Sequence, residues 1–313
     1  MPGETILLIG ASGQIGAELT MLLRSQYGNS NVIAADIKQA EGELFESGPF
    51  EVLNVLDKAG IAAVADKYKI TQIYNMAAML SATGEKFPQK AWQLNMDGLI
   101  NTLEIAREKG ISKMYWPSSI AAFGPTTPKV DTPQTTIMEP NTIYGISKQA
   151  GERWCEWYYL KYGLDVRSIR YPGIISYKTE PGGGTTDYAV DIYFKAKQTG
   201  KYTCYIAEDT LLPMMYMPDA IKATIQLMDA PAEKIKVRSS YNLAAMTFSP
   251  KMVGAAIKKY IPDFELTYDI DFRQKIAETW PGSIDDSAAR NDWGWQHEYD
   301  LDKMTVDMLK HII

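Results

Sequence analysis

Three residues of this 313-residue chain, Ser119, Tyr144 and Lys148, have the types and spacing to move a proton. Tyr144 and Lys148 stand four apart in "YGISK" (144–148), so on a helix they share one face. Ser119 ends the run "KMYWPSS" (113–119), upstream of that pair. A free phenol has a pKa of about 10, too high for a base near neutrality. An adjacent ammonium is expected to favour the phenolate and bring that value toward working pH. A serine at a strand end can donate a hydrogen bond to a substrate oxygen and fix it beside Tyr144. Such a set needs no imidazole. His297 and His311, the only histidines, cannot assemble a zinc site or a Ser–His couple, so no metal is expected. Taken alone, Tyr-x-x-x-Lys is common in surface helices, and its meaning depends on its surroundings.

Those surroundings include a glycine corner. In "LLIGASGQIGAELT" (7–20), Gly10, Gly13 and Gly16 follow a strand pattern and open a helix pattern. Gly10 permits a tight turn, Gly13 lets backbone approach a pyrophosphate, and Gly16 lets helix and strand pack closely. Free N–H groups at the helix start favour an anion there. Asp36 closes the next strand, twenty residues past Gly16, where an acid can bind the adenosine ribose hydroxyls. It would repel a 2′-phosphate and no Arg follows it, so the spacing favours NAD over NADP. A structural Gly-rich turn and a capping aspartate are the plain alternatives to each feature; the two together point to a dinucleotide. Lys148 then also suits the nicotinamide ribose.

The elements that must hold these residues alternate. Strands are expected at 5–10, 31–36, 71–78, 113–119 and 164–171, with helices at 14–27, 57–69, 88–109 and 142–162. Such alternation predicts an α/β fold with a doubly wound parallel sheet. Residues 1–171 would form the nucleotide-binding domain. Residues 172–313 would form mainly a smaller substrate lobe over the carboxyl ends of the strands, some segments returning to the sheet. Helices near 188–198, 219–229 and 249–260 and strands near 202–206, 214–217, 240–244 and 264–269 are expected there. The Gly-, Pro- and Thr-rich "YPGIISYKTEPGGGTTD" (171–187) is too long for a simple connection and is a candidate binding loop, Gly182–Gly184 letting it fold over a substrate.

Bulk composition removes other classes. A net charge of −6 without a recurring basic stretch argues against nucleic acid. No apolar run approaches the roughly 18 residues that span a bilayer. Cys155 and Cys204 read as buried free thiols in a reducing compartment, so a cytoplasmic protein is expected.

The segments Gly10-Ala-Ser-Gly13-Gln14-Ile15-Gly16, Asn75-Met-Ala77-Ala78, Asn95, Ser119-Ile-Ala-Ala-Phe-Gly124, Tyr144-Gly-Ile-Ser-Lys148 and Arg170-Tyr171-Pro172-Gly173 resemble the extended short-chain dehydrogenases/reductases over essentially the whole chain. The resemblance implies that Gly10, Gly13, Gln14, Ile15 and Gly16 cradle the cofactor and that Ala77, Ala78 and Asn95 lie along its path. It places Asn54 and Val55 beside the adenine, where the family usually has an acid, and Tyr171, Pro172 and Ile174 beside the nicotinamide. The family's largest branch handles nucleotide sugars, with an Asn where Gly173 stands and a diphosphate-binding Arg where Leu212 stands, seven residues before Asp219. Loss of that clamp disfavours a diphosphate substrate.

"AAMLSATGE" (77–85), "LLPMMYMPDAI" (211–221), "ARNDWGW" (289–295) and the 171–196 stretch resemble instead the short-chain type of L-threonine 3-dehydrogenase. That resemblance implies oxidation of L-threonine at C3 to L-2-amino-3-oxobutyrate by NAD+. Ser81, Thr185 and Thr186 would hold the amino acid's carboxylate and ammonium, and the hydroxyl would sit between Ser119 and Tyr144. Trp280 would cap the pocket or belong to the core. Trp92, Trp154, Trp157 and Tyr158 on helices 88–109 and 142–162 are either core residues or, as the family implies, part of a four-helix homodimer interface. A nucleotide-sugar epimerase or dehydratase and a non-catalytic NAD-binding regulator are the alternative readings.

Overall fold

The computed structural model describes residues 3–178, 182 and 184–312. Twelve strands are described: β1 (Ile6–Ile9), β2 (Val32–Asp36), β3 (Phe50–Val52), β4 (Gln72–Asn75), β5 (Lys113–Ser119), β6 (Asp165–Tyr171), β7 (Gly173–Ile175), β8 (Lys201–Cys204), β9 (Leu212–Tyr216), β10 (Tyr241–Asn242), β11 (Met246–Phe248) and β12 (Glu265–Tyr268). The helices are α1 (Gln14–Tyr27), α2 (Glu43–Glu46), α3 (Lys58–Tyr68), α4 (Ser81–Lys86), α5 (Pro88–Trp92), α6 (Gly98–Glu108), α7 (Ile143–Tyr162), α8 (Tyr188–Thr199), α9 (Met217–Asp229), α10 (Pro250–Lys258), α11 (Phe272–Ala277), α12 (Ser287–Trp293) and α13 (Leu301–His311).

Seven strands form one parallel sheet in the order β10-β6-β5-β4-β1-β2-β3. The order reverses between β1 and β4, and in such sheets the crevice outside the strands' carboxyl ends at that point receives the ligand. Alternation along β1 and β2 divides the two faces. Ile6, Leu8, Val32 and Ala34 pack on the α1 and α9 side, while Leu7, Ile9, Ile33 and Ala35 pack on the α3 and α6 side. Both faces are apolar, which is why these strands read as continuous hydrophobic runs. The doubly wound α/β expectation holds. A second sheet, β11-β9-β7, and the pair β12-β8 lie beyond it, with Tyr188, Tyr193, Met214 and Phe248 in their core.

The element list differs from the sequence reading in several places. β3, β7, β11, α2, α4 and α11 to α13 are not among the expected elements; the strands are only three residues long, too short to carry a period. The expected helix 88–109 is observed as an unbroken helical run from Pro88 to Glu108, but not as a regular α-helix throughout. A π-turn at Gln93–Asp97 separates α5 from α6. No proline or glycine inside that turn marks it in the sequence. Gly183 of the expected flexible run lies outside the described residues.

Helix α7 carries Tyr144 and Lys148, and its placement follows from local chemistry. Thr142 caps its start by accepting a hydrogen bond from the Gly145 N–H at 3.1 Å, and Gly163, at φ 71°, ends it in the left-handed conformation. Two glycines let it lie close to β5 and to the turn that follows it. A Cβ at Gly145 would stand 2.2 Å from the Ala121 carbonyl oxygen, and one at Gly151 would stand 2.4 Å from the Trp116 ring. Overpacking of this kind costs about 1–3 kcal/mol. Gly151→Ala is therefore expected to lower unfolding stability by about that amount in urea titration, with little change in the slope of the transition.

Candidate active site

The glycine corner is shaped as a cofactor seat requires. Gly10 has φ +86°, and a Cβ on it would meet the Ala77 backbone nitrogen at 2.7 Å. A Cβ on Gly16 would stand 2.1 Å from the Gly10 carbonyl oxygen, so α1 touches the β1 turn. Gly13 is different. Its Cβ direction meets only the Gly10 carbonyl oxygen, at 3.3 Å, leaving open space above the start of α1. Two cavities of about 240 and 250 Å³ meet there, sharing Gly10, Gly13, Met76 and Ala78. One runs past Asp36, Asn54, Val55 and Ala77; the other runs past Gln14, Ile15 and Gly16 to Ser119, Tyr144 and Lys148. The trough follows the carboxyl ends of the strands across the switch point.

Asp36 ends β2 at the first cavity. Its carboxylate accepts the Ser12 N–H at 2.9 Å and the Ile37 N–H at 2.7 Å, which fixes its plane and leaves further lone pairs for a ribose diol. Asn54 lines the same cavity and accepts the Leu56 N–H at 3.0 Å; Val55 is buried. These groups, an open helix start at Gly13 and an acid lining the same cavity at the end of β2, fit a dinucleotide without a 2′-phosphate.

Asn95 does not line either cavity. Buried in the π-turn, its side-chain oxygen accepts the Met79 N–H at 2.8 Å, and its amide donates to the Met79 carbonyl and to Ser147 Oγ, each at 3.2 Å. It therefore secures the 76–80 segment to α7, and touches the trough only through that segment.

Ser119, Tyr144 and Lys148 converge at the other end. Ser119 Oγ accepts the Ala121 N–H at 3.2 Å and is hydrogen-bonded to the Tyr144 phenol. The Lys148 ammonium donates to the Pro117 carbonyl at 2.5 Å, lies 4.4 Å from the Trp116 ring centroid and 5.5 Å from that of Tyr144. The expected ammonium-assisted phenolate is not what this geometry gives. Burial pushes the Tyr144 phenol up to about 12, opposed by its bond with Ser119. Burial also pushes Lys148 down to about 7, because carbonyl and ring contacts replace little of the water an ammonium loses, while Cys155 and Glu152 pull it back up. Glu152 lies one turn further along α7. It accepts Ser118 Oγ at 2.6 Å and both Arg170 Nε at 2.9 Å and Nη2 at 2.8 Å, inside the protein.

The far wall is made of small hydroxyls. Ser81 Oγ and Thr185 Oγ1 are 3.1 Å apart, and both residues are buried. Thr186 packs against Gly173, where a Cβ would come within 2.9 Å of the Thr186 Cβ and 2.4 Å of Met214 Sδ. Trp280 lines the cavity, and its buried indole N–H has no partner among the described residues. Tyr171, Pro172 and Ile174 line the cavity on the side of β6 and β7. Sequence reasoning missed Asp187, which lines the same wall and accepts the Gly184 N–H at 2.7 Å; its signal was an acid directly before the α8 pattern. Leu212 is fully buried in β9 and points into the lobe core. Asp219 is likewise structural, accepting the Glu298 and Tyr299 N–H groups.

Lys148 makes the stability of the cofactor-free protein depend on pH. Its pKa is lower folded than unfolded, so between about 7 and about 10.5 the unfolded chain binds the extra proton and stability rises with pH. Below about 7 the whole penalty for burying the charge is present. Lys148→Met is expected to raise the melting temperature at pH 6, with the gain shrinking as pH rises toward 10. A gain independent of pH would show that the ammonium is not desolvated.

A profile of the NAD dependent epimerase/dehydratase family matches residues 6–244. A protein of Staphylococcus saprophyticus, named an uncharacterized epimerase/dehydratase, is 54% identical over 311 residues, covering 99% of this chain and 97% of that protein. A solved structure described as a GalE-like L-threonine dehydrogenase from Cupriavidus necator in its holo form is 56% identical, covers 99% and 100% of the two chains, and has a TM-score of 0.97. Another, a monomeric L-threonine 3-dehydrogenase from a metagenome database in its apo form, is 46% identical, covers 98% of each chain, and has a TM-score of 0.95. The glycine seat, the acid at β2 and the profile agree, and the chain belongs to the NAD dependent epimerase/dehydratase family, the extended short-chain dehydrogenases/reductases, with NAD as its cofactor.

Proposed function

We propose that this protein oxidises L-threonine at C3 to L-2-amino-3-oxobutyrate. The observation that carries the reading is the small, hydroxyl-lined end of the trough, beside Ser119 and Tyr144 and narrowed by Thr186 lying on Gly173. Ser81, Thr185, Thr186 and the Trp280 N–H, which has no partner among the described residues, offer donors and acceptors to a small zwitterion with little net countercharge. Solved relatives described as L-threonine dehydrogenases support the same substrate.

In this reading Ser119 holds the substrate hydroxyl and Tyr144 takes its proton, while Lys148 fixes the nicotinamide ribose. NAD+, held by the glycine corner, Asp36 and Lys148, would supply the hydride acceptor, and its nicotinamide charge would favour ionisation of a phenol that burial raises to about 12. The protein's own part is orientation and proton transfer.

A nucleotide-sugar epimerase is the second reading, favoured by the names of the Staphylococcus relatives. Against it stand the buried Leu212 and the Gly173–Thr186 contact, which leaves no room for a side-chain amide at 173.

We also infer a homodimer through α5, α6 and α7. Trp92, Trp154, Trp157 and Leu160 are exposed there, whereas Tyr158 is buried with its hydroxyl on Glu104 and is not part of that face.

NADH formation should appear with L-threonine and NAD+, in the presence of a chelator, and not with NADP+. Tyr144→Phe should bind NAD normally and lose about 10²–10⁴ in turnover. Near-normal turnover by that variant would remove Tyr144 as the base. A thermal shift by UDP-sugars without threonine turnover would favour the second reading. Trp157→Glu should convert a sedimenting dimer to monomer; a monomeric wild-type protein would refute the interface.

A further inference from the structure

We propose that Glu18 is a positioning residue that couples the cofactor helix to the substrate end of the trough. The proposal rests on the functional reading above. Glu18 lies on α1, one turn past Gln14, whose side of the helix lines the cofactor cavity. Its side chain is 13% exposed, so its charge must be met by protein groups. Those groups come from beyond β7. Ser176 Oγ donates to one carboxylate oxygen at 2.7 Å, and the Lys178 ammonium stands 3.3 Å from the other. The Lys178 backbone N–H in turn donates to Ser176 Oγ at 3.1 Å, so the hydroxyl is held from both sides. Ser176 is itself buried.

The consequence lies in what β7 carries. Ile174, two residues before Ser176, lines the trough, and Gly173 at the other end of β7 is the surface on which Thr186 rests. Thr185, next in the chain, is bonded to Ser81. A charge-assisted tie from Glu18 to Ser176 therefore links the helix that seats a dinucleotide to the wall that seats the amino acid. Each ligand stabilises the same spacing of α1 and β7. By linkage, each must then tighten the other by the same factor, with Glu18 carrying that coupling.

NADH and L-threonine cannot react together, so their mutual effect reads coupling without turnover. NADH fluorescence titrations with and without L-threonine are expected to show tightening of about fivefold or more in the wild-type protein. Glu18→Ala should bind NADH alone within about twofold of wild type and lose the tightening, and the KM for threonine should rise about as much as the coupling falls, with kcat little changed. Glu18→Gln, which keeps an acceptor for Ser176 but loses the charge toward Lys178, should fall between the two and guards against a folding defect. Adding Ser176→Ala to Glu18→Ala should cost nothing further. The proposal is overturned if wild type shows no coupling, if Glu18→Ala retains it, or if NADH alone weakens as much as the ternary complex. Wild-type turnover of threonine, measured alongside, tests the substrate assignment separately: turnover with no role for Glu18 sinks only this inference, and its absence sinks the assignment itself.

Discussion

Much of the site hangs on a charge pair that never meets water. Glu152 and Arg170 are buried, and their two hydrogen bonds lock α7 onto β6 directly beneath the Ser119–Tyr144–Lys148 group. Ser118 adds a third bond to the same carboxylate, and Arg170 passes one on to Asn242 of β10. One side chain pair thus ties together a helix and three neighbouring strands. Buried ion pairs are weak sources of stability, since desolvation offsets most of their attraction. Their value here is geometric. Once α7 is seated, Tyr144 and Lys148 have little freedom to be anywhere else, and loss of either partner would leave an uncompensated charge under the site.

The two ends of the trough are built on opposite principles. The cofactor end is defined by missing atoms: Gly10, Gly13 and Gly16 admit backbone contact and an anion where any Cβ on Gly10 or Gly16 would collide. The substrate end is defined by crowding, as Thr186 and Met214 close on Gly173 and Ser81 bonds to Thr185. Burial then sets the ionisation of the groups between them. The phenol is pushed up and the ammonium down, unlike a phenol–lysine couple on an exposed helix.

The sequence revealed most where a single residue type is forced. The strands and helices expected in the first half follow from period and are present, and the glycine corner, Asp36 and the Tyr144–Lys148 pair, singled out by spacing and glycine sterics, line one trough. What escaped were features that depend on the third dimension. β3 and β7 are too short to show alternation. Asn95 sits in a motif of the family, yet its side chain serves the Met79 backbone, which spacing cannot reveal. The direction of the Tyr144 shift was missed because proximity in sequence said that a lysine was near, and not that its ammonium was turned to Pro117 inside an apolar wall.

The π-turn at Gln93–Asp97 amounts to one residue more than an α-helix of the same length would hold. Since each residue of an α-helix turns the chain by about 100°, the extra one puts α5 and α6 out of phase by roughly that angle. Trp92 can therefore face outward while Leu99 and Leu103 face the sheet, with Asn95 directed inward from the bulge itself. A deletion there would restore a regular helix and, in the same stroke, rotate the aromatic surface and withdraw the amide that holds residue 79.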